Sequence, residues 1–226
     1  RAGLTRQRSG PRIEIMRKPH VRQTRFAPMF LALALAGCDG TPPEPETRQT
    51  GGSAAAPEPA LVPDPDTLET EARAAVAELA TTLMGRLKSA VAEGGPASAI
   101  EVCHEVAPAI AADVSARTGF TVTRVSARYR NPEMGVPEPW EASVLEDFAR
   151  RKAAGTDPAT LVYSAVEDGE YRFMKAIPTG PLCLNCHGSS LAPAVSERLS
   201  QLYPDDRATG YEVGDIRGAF VVTRRL

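Results

Sequence analysis

Five consecutive residues, Cys183-Leu184-Asn185-Cys186-His187, constrain this chain more than any other feature. Two thiols stand three positions apart and an imidazole follows the second directly, so the fold must deliver all three side chains to one place. CxxCH is the attachment signature of c-type haem. Thiols at this spacing can each meet one vinyl group of a single porphyrin, and the histidine then lies under the iron. A thioredoxin-like pair would use CxxC at a helix N-terminus after a strand, without needing the histidine. A zinc site would want further Cys or His ligands, and outside residues 1–38 only Cys103 and His104 remain. The predicted cofactor is one covalent haem c, held by Cys183, Cys186 and His187.

Residues 1–37 differ in composition from the rest, with eight of the chain's 26 Lys and Arg and one acid, Glu14. Within them, "MRKPHVRQTRFAPMFLALALAGC" reads as a basic region from Met16, an apolar run from Phe26 to Ala36, and Cys38 directly after Leu35-Ala36-Gly37. That order resembles a bacterial lipoprotein signal peptide. The apolar run, about 11 residues, is too short to cross the roughly 30 Å hydrocarbon core as a helix. The expectation is initiation at Met16, cleavage before Cys38, lipidation of its sulfur, and a periplasmic protein tethered to a membrane by lipid. The remainder carries 18 basic and 27 acidic residues. Such a balance argues against nucleic acid and anionic membrane faces as partners.

From Cys38 to Asp66 the chain is rich in proline and poor in large apolar residues, which predicts a disordered, partly polyproline tether reaching up to roughly 85 Å. The domain is expected over 67–226. Thr67 is a candidate N-cap for a long amphipathic helix that ends at Gly94-Gly95-Pro96. A second helix follows from Ala97 to about Arg117, kinked at Pro108. "FTVTRVSARYRNP" alternates as a strand, Trp140 to Lys152 reads as a helix, and Glu167-Asp168-Gly169 marks a hairpin turn. A short helix from Ala192 to Leu202 and the strand "GAFVVTRRL" complete an α+β pattern, helices packed on an antiparallel sheet.

The iron's second axial ligand is the more informative question. Many small cytochromes c take it from a methionine downstream of the attachment site, yet Gly188 to Leu226 contains no Met, His, Cys or Lys. A protein ligand must come from upstream, from Cys103, His104, Met84, Met134 or Met174, or else the position is open. Cys103 falls on the apolar stripe of its helix with Ile100, Ala107, Ile110 and Val114. His104 lies about 100° round, on the face of Glu101 and Glu105. Burial beside a haem favours the cysteine, as does its being the free thiol left in an exported chain, although free cysteines also serve as small buried hydrophobes. Arg124, Arg128 and Arg130 alternate along the expected strand and could pair with the haem propionates or form a solvated edge. Trp140 reads as a packing anchor, and Asp215 and Arg217 as turn and surface residues.

The combination of "AIEVCHEVAPAIA", "VSARYRNP" followed by "PWE", CxxCH and "GDIRGAF" resembles the single-haem, c-type PAS-like domain of bacterial and cyanobacterial lipoproteins and periplasmic sensor kinases, over about residues 70–226. The resemblance implies a PAS-like antiparallel sheet flanked by helices, with haem ligated by His187 and Cys103. The leading expectation is a membrane-tethered periplasmic haem protein that senses redox state or a small ligand such as a gas, acting through a redox or signalling protein partner. The alternative is an electron-transfer cytochrome c serving periplasmic or membrane redox partners. A peroxidase-like enzyme would need an open distal site with His104 as its acid and base. The anchor is testable separately: Cys38→Ser should move the protein from the membrane to the soluble fraction, and retention at the membrane would overturn the lipoprotein reading.

Overall fold

The computed structural model describes residues 64–226. The expected leader, Cys38 and the tether before Asp64 lie outside the described residues. The first helix, α1 (Pro65–Glu101), starts two residues ahead of Thr67, with Asp64 as its N-cap and Pro65 at the first position, where a missing N–H costs nothing. Asp64 Oδ2 accepts from Thr67 N at 3.3 Å. Leu68, Ala72, Ala75, Val76, Leu79 and Leu83 are buried along one stripe. The expected stop at Gly94-Gly95-Pro96 is a kink. Gly95 leaves helical geometry at φ 77° and ψ 179°, which glycine alone adopts readily, and helix resumes to Glu101.

The second helix also departs from expectation. Instead of bending at Pro108, the backbone widens into a π turn over Val102–Val106. The helix α2 (Ala107–Thr118) begins after it, with Pro108 in its first turn. Proline removes one rung of the helical ladder and crowds the turn before it, and the wider π turn accommodates both effects. Cys103 and His104 ride on that turn.

Four antiparallel strands follow: β1 (Thr121–Val125), β2 (Val162–Glu167), β3 (Glu170–Pro178) and β4 (Ile216–Arg225). Their spatial order is β1-β4-β3-β2. Asp168 (φ 53°) and Gly169 (φ 73°) make the two-residue turn between β2 and β3, the left-handed pair that a tight hairpin requires. The first strand is shorter than the sequence suggests. It ends at Val125, so Arg128 and Arg130 belong to the loop beyond it.

Period-two alternation gives the sheet two working faces. Val122, Tyr171, Phe173 and Val222 pack with the α1 stripe, Val114 and Phe120. Val125, Met174, Ala176, Ala219 and Val221 pack against Val144, Leu145 and Phe148 of α4 (Pro139–Ala153), with Trp140 and Tyr163 at the margin. A short α3 (Pro132–Gly135) lies in the loop after β1. The cysteine cluster occupies a single 3-10 turn and the four-residue α5 (Leu184–His187). Finally, α6 (Pro193–Leu202) buries Val195 and Leu199 against Ile100, with Cys186 packed alongside. The architecture is α+β, a four-stranded antiparallel sheet flanked by helices with a long helix at its N-terminal side. Among the described residues, no helix is long and apolar enough to cross a membrane.

One glycine fixes how closely β4 approaches β1. A Cβ at Gly218 would lie 2.3 Å from the Val125 carbonyl oxygen, whereas one at Gly85 on the exposed side of α1 would meet nothing within 4 Å. Urea denaturation should therefore show opposite signs. Gly218→Ala is expected to lose about 1–3 kcal/mol through overpacking, and Gly85→Ala to gain roughly 0.5–1 kcal/mol through helix propensity.

Candidate functional site

A cavity of about 560 Å³ opens between the π turn, α2, β1 and the loop that follows it, with His187 in its wall. Its volume is in the range of small-molecule and cofactor sites. Small side chains on α2, Ala107, Ala111 and Ala112, make room on one side.

His187 is buried, and its Nδ1 lies 2.7 Å from the Ala208 carbonyl. A carbonyl can only accept, so Nδ1 carries the proton and Nε2 keeps its lone pair. Burial, then the cations Arg217 and Arg130, hold the imidazole well below its usual pKa of 6.5. It is therefore neutral at physiological pH, the state in which imidazole ligates a metal.

The segment that carries Ala208 is itself tied down. Tyr211 N donates to the His187 carbonyl at 2.9 Å, and Gly210 N to the Gly188 carbonyl at 3.0 Å. Arg130 Nη2 donates to the Cys186 carbonyl at 2.6 Å, while its Nε meets Asp206 Oδ2 at 3.1 Å in a largely buried ion pair. Arg130 thus fastens the motif to the 206–208 turn. Arg128 donates to the Thr209 carbonyl at 3.0 Å and stacks on the Tyr211 ring, 3.7 Å from its centroid. Both arginines hold this loop, a duty that their alternation in sequence did not disclose.

Arg124 is differently placed. It stands opposite Phe220 in the β1–β4 register, on the same sheet face as Val122, and reaches into the cavity. Desolvation and the nearby Arg217 both lower its proton affinity. Arg217, expected at the surface, lines the cavity as well, and its Nε is buried without a hydrogen-bond partner. Asp215 is a turn residue in an ion pair with Lys152 (2.6 Å).

The candidate upstream ligands separate clearly. Cys103 and His104 both line the cavity, together with Met134. Met174 is 0% exposed on the α4 side of the sheet, away from the cavity, and Met84 is an exposed residue of α1 outside the cavity wall. His104 is exposed like Glu105, and like Glu101, which pairs with Arg198, it meets α6 or the residue that ends it, so the shared face expected from the sequence coexists with a place in the cavity wall. On the π turn, His104 meets Tyr203 edge-on, with ring centroids 5.4 Å apart. Burial first and the Cys103 thiol next push the Tyr203 phenol up to about 12, so it stays protonated at the cavity wall. Cys183 and Cys186 are half-buried free thiols, and burial pushes Cys186 up while Arg130 opposes it. Trp140 is remote from the cavity, packed beside Tyr163 with a centroid distance of 6.2 Å. The sequence reading missed Tyr203, Ala208 and Arg217. Arg217 stands inside the conspicuous "GDIRGAF" segment, but nothing local marks it as buried.

The residues present fit a haem: a neutral imidazole of fixed tautomer and the Cys103 thiol share a roomy cavity, while Cys183 and Cys186 lie next to His187 in the chain but outside the cavity wall, Cys186 packed beside Ile100, Val195 and Leu199. The fold and this site define an α+β domain with a cofactor-sized cavity between its second helix and the sheet. The family description "Tll0287-like: Tll0287" matches residues 61–224, and the chain belongs to that family. Its structure is similar to the crystal structure of the cyanobacterial heme-protein Tll0287, with a TM-score of 0.55 and 23% sequence identity, covering 72% of this chain and 97% of that one. No curated protein sequence matches the chain.

The neutral His187 has a measurable consequence. With its pKa depressed on folding, the unfolded chain binds the extra proton first, so stability is full above about 6.5 and falls as pH drops toward the depressed value. Urea titrations of the ligand-free chain should show this loss, up to about 1.4 kcal/mol per pH unit in that window. His187→Phe should flatten the slope, and an unchanged slope would place the titration elsewhere.

Proposed function

We propose that this protein is a membrane-tethered periplasmic haem protein with one c-type haem. Cys183 and Cys186 would hold the ring by thioethers, and His187 Nε2 and the Cys103 thiolate would be the axial ligands. Its role is to sense redox state or a small gas ligand and to report to a redox or signalling protein. The observation that carries this reading is the His187–Ala208 hydrogen bond in the wall of a cavity that Cys103 also lines. Family membership and the likeness to a cyanobacterial haem protein support it.

The haem, when bound, supplies an iron whose charge and axial affinity respond to electrons and small molecules, and a thiolate donor favours the oxidised state. The chain's residues do the rest. His187 is held in one tautomer and orientation by Ala208, and Tyr203 keeps its protonated phenol beside Cys103. The Cys103 ligand sits on a π turn, a deformable piece of helix of the kind often found at functional sites. A ligand on such a turn can withdraw without unfolding its neighbours, which favours sensing over plain electron transfer.

Optical and EPR spectra of the matured protein, oxidised and reduced, with and without CO, test both parts. The wild type is expected to show a low-spin ferric signal of thiolate character, and CO binding after reduction. Cys103→Ala should lose the thiolate signature. A mutant spectrum unchanged from wild type would remove Cys103 as a ligand, and a reduced wild type that never binds CO would move the reading to electron transfer.

A further inference from the structure

Among the described residues three cations line the cavity without an ion pair, and of these Arg128 is engaged by the Thr209 carbonyl and the Tyr211 ring while the other two have no partner. Arg124 on β1 and Arg217 on β4 both line the cavity, and neither side chain makes a hydrogen bond or ion pair among the described residues. The neighbouring acids are committed or apart. Asp206 pairs with Arg130, Asp215 with Lys152, and exposed Glu133 at the cavity wall forms no ion pair with either arginine. Holding two guanidinium groups near each other, away from water, destabilises the ligand-free fold. Buried polar groups in native proteins nearly always have partners, so an arrangement of this kind calls for a ligand of opposite charge.

We infer that Arg124 and Arg217 form the seat for a pair of carboxylates on the sheet wall of the cavity, which neither Cys183 nor Cys186 lines. The inference rests on the haem reading above, in which the carboxylates are the two propionates. Protoporphyrin carries its vinyl groups and its propionates on opposite edges, so the cysteines that meet the vinyls and the cations that meet the propionates must stand apart. The arginines sort in that way. Arg130 donates to the Cys186 carbonyl, which places it at the thioether edge. Arg124 and Arg217 make no hydrogen bond to the cysteine motif and stand in the cavity wall on β1 and β4. The planar guanidinium fork suits two-point recognition of a carboxylate, so each arginine can take one propionate.

The test uses the full ligand-free chain and two probes, iron(III) protoporphyrin and its dimethyl ester, which lacks the carboxylates but keeps the ring and the iron. Soret titration should give at least about tenfold tighter binding of the free acid, the size of one lost charge-assisted hydrogen bond. Arg124→Gln and Arg217→Gln should each weaken binding of the acid by a similar factor and leave the ester unchanged, whereas Arg150→Gln, on the exposed side of α4, should preserve the ratio. Each of the first two variants should also raise the Tm of the ligand-free chain, because it relieves repulsion; a merely structural arginine would lower it. Equal affinity of the wild type for acid and ester, or variants that keep the wild-type ratio, would overturn the seat while leaving the haem reading intact. A wild type that binds neither probe, and acquires no haem when co-expressed with c-type maturation machinery, would sink both. Stabilisation by succinate together with equal affinity for acid and ester would assign the seat to a free dicarboxylate and overturn its assignment to propionates.

Discussion

The 2.7 Å contact between His187 Nδ1 and the Ala208 carbonyl is the interaction on which the site's geometry depends. A four-residue helix cannot orient a side chain by itself, since its termini outnumber its internal hydrogen bonds. The orientation comes from the loop across the way, and that loop is held in turn by Arg130, Asp206 and the backbone pairing of residues 210–211 with 187–188. Remove the carbonyl's position and the imidazole loses both its tautomer and its direction. The rigid part of the site is therefore assembled from two irregular segments that pair with each other and are fastened by Arg128 and Arg130 from a third.

The sheet explains why a cavity exists at all. On the α1 side, large residues fill the space up to Val122 and Val222, and the core there is continuous. Two positions further along β1, the same face presents Arg124, opposite Phe220, while α2 offers only small side chains in that region, three alanines with Pro108 and Ser115. Close packing stops where the side chains become small on one wall and charged on the other. On the opposite face, α4 keeps its own sealed core with Met174 inside, which is why that methionine has no access to the cavity. The β1–β4 contact at Gly218 draws the two strands together beneath the cationic end.

Much of this was legible in the sequence, and the failures share a cause. Hydrophobic periodicity located the long helix, the hairpin at Asp168-Gly169, the last strand and the α+β class, because each is a local pattern with a fixed repeat. CxxCH marked its own place. The errors arose where regular geometry was extrapolated through an irregularity. Strand alternation carried past Val125 put three arginines on one face, yet the chain leaves the sheet there, and each arginine meets a different environment. A helical wheel carried through Pro108 gave a kink there, because no wheel anticipates the π turn at Val102–Val106 that takes up the irregularity. Arg217, Ala208 and Tyr203 become site residues only through tertiary placement, and no short-range signal could have named them.

The charges of the site close into a consistent account on the proposed reading. The folded chain is acidic overall, yet its cavity is cationic, with Arg124 and Arg217 unneutralised and His187 kept neutral beside them. Two propionates would cancel the two arginines, and a thiolate at Cys103 would cancel the single net charge of a ferric porphyrin core. The oxidised site would then be neutral throughout, which is the least costly condition for groups removed from water. Reduction would add one electron to that balanced set and leave a negative charge with no partner. Were the Cys103 thiolate then to take a proton from solvent, it would leave as a neutral thiol, and Cys103 stands on the π turn, an irregularity of the kind frequent at functional sites. A redox event at the iron would thereby become a displacement of helix at the surface of the domain, a form that a protein partner can read.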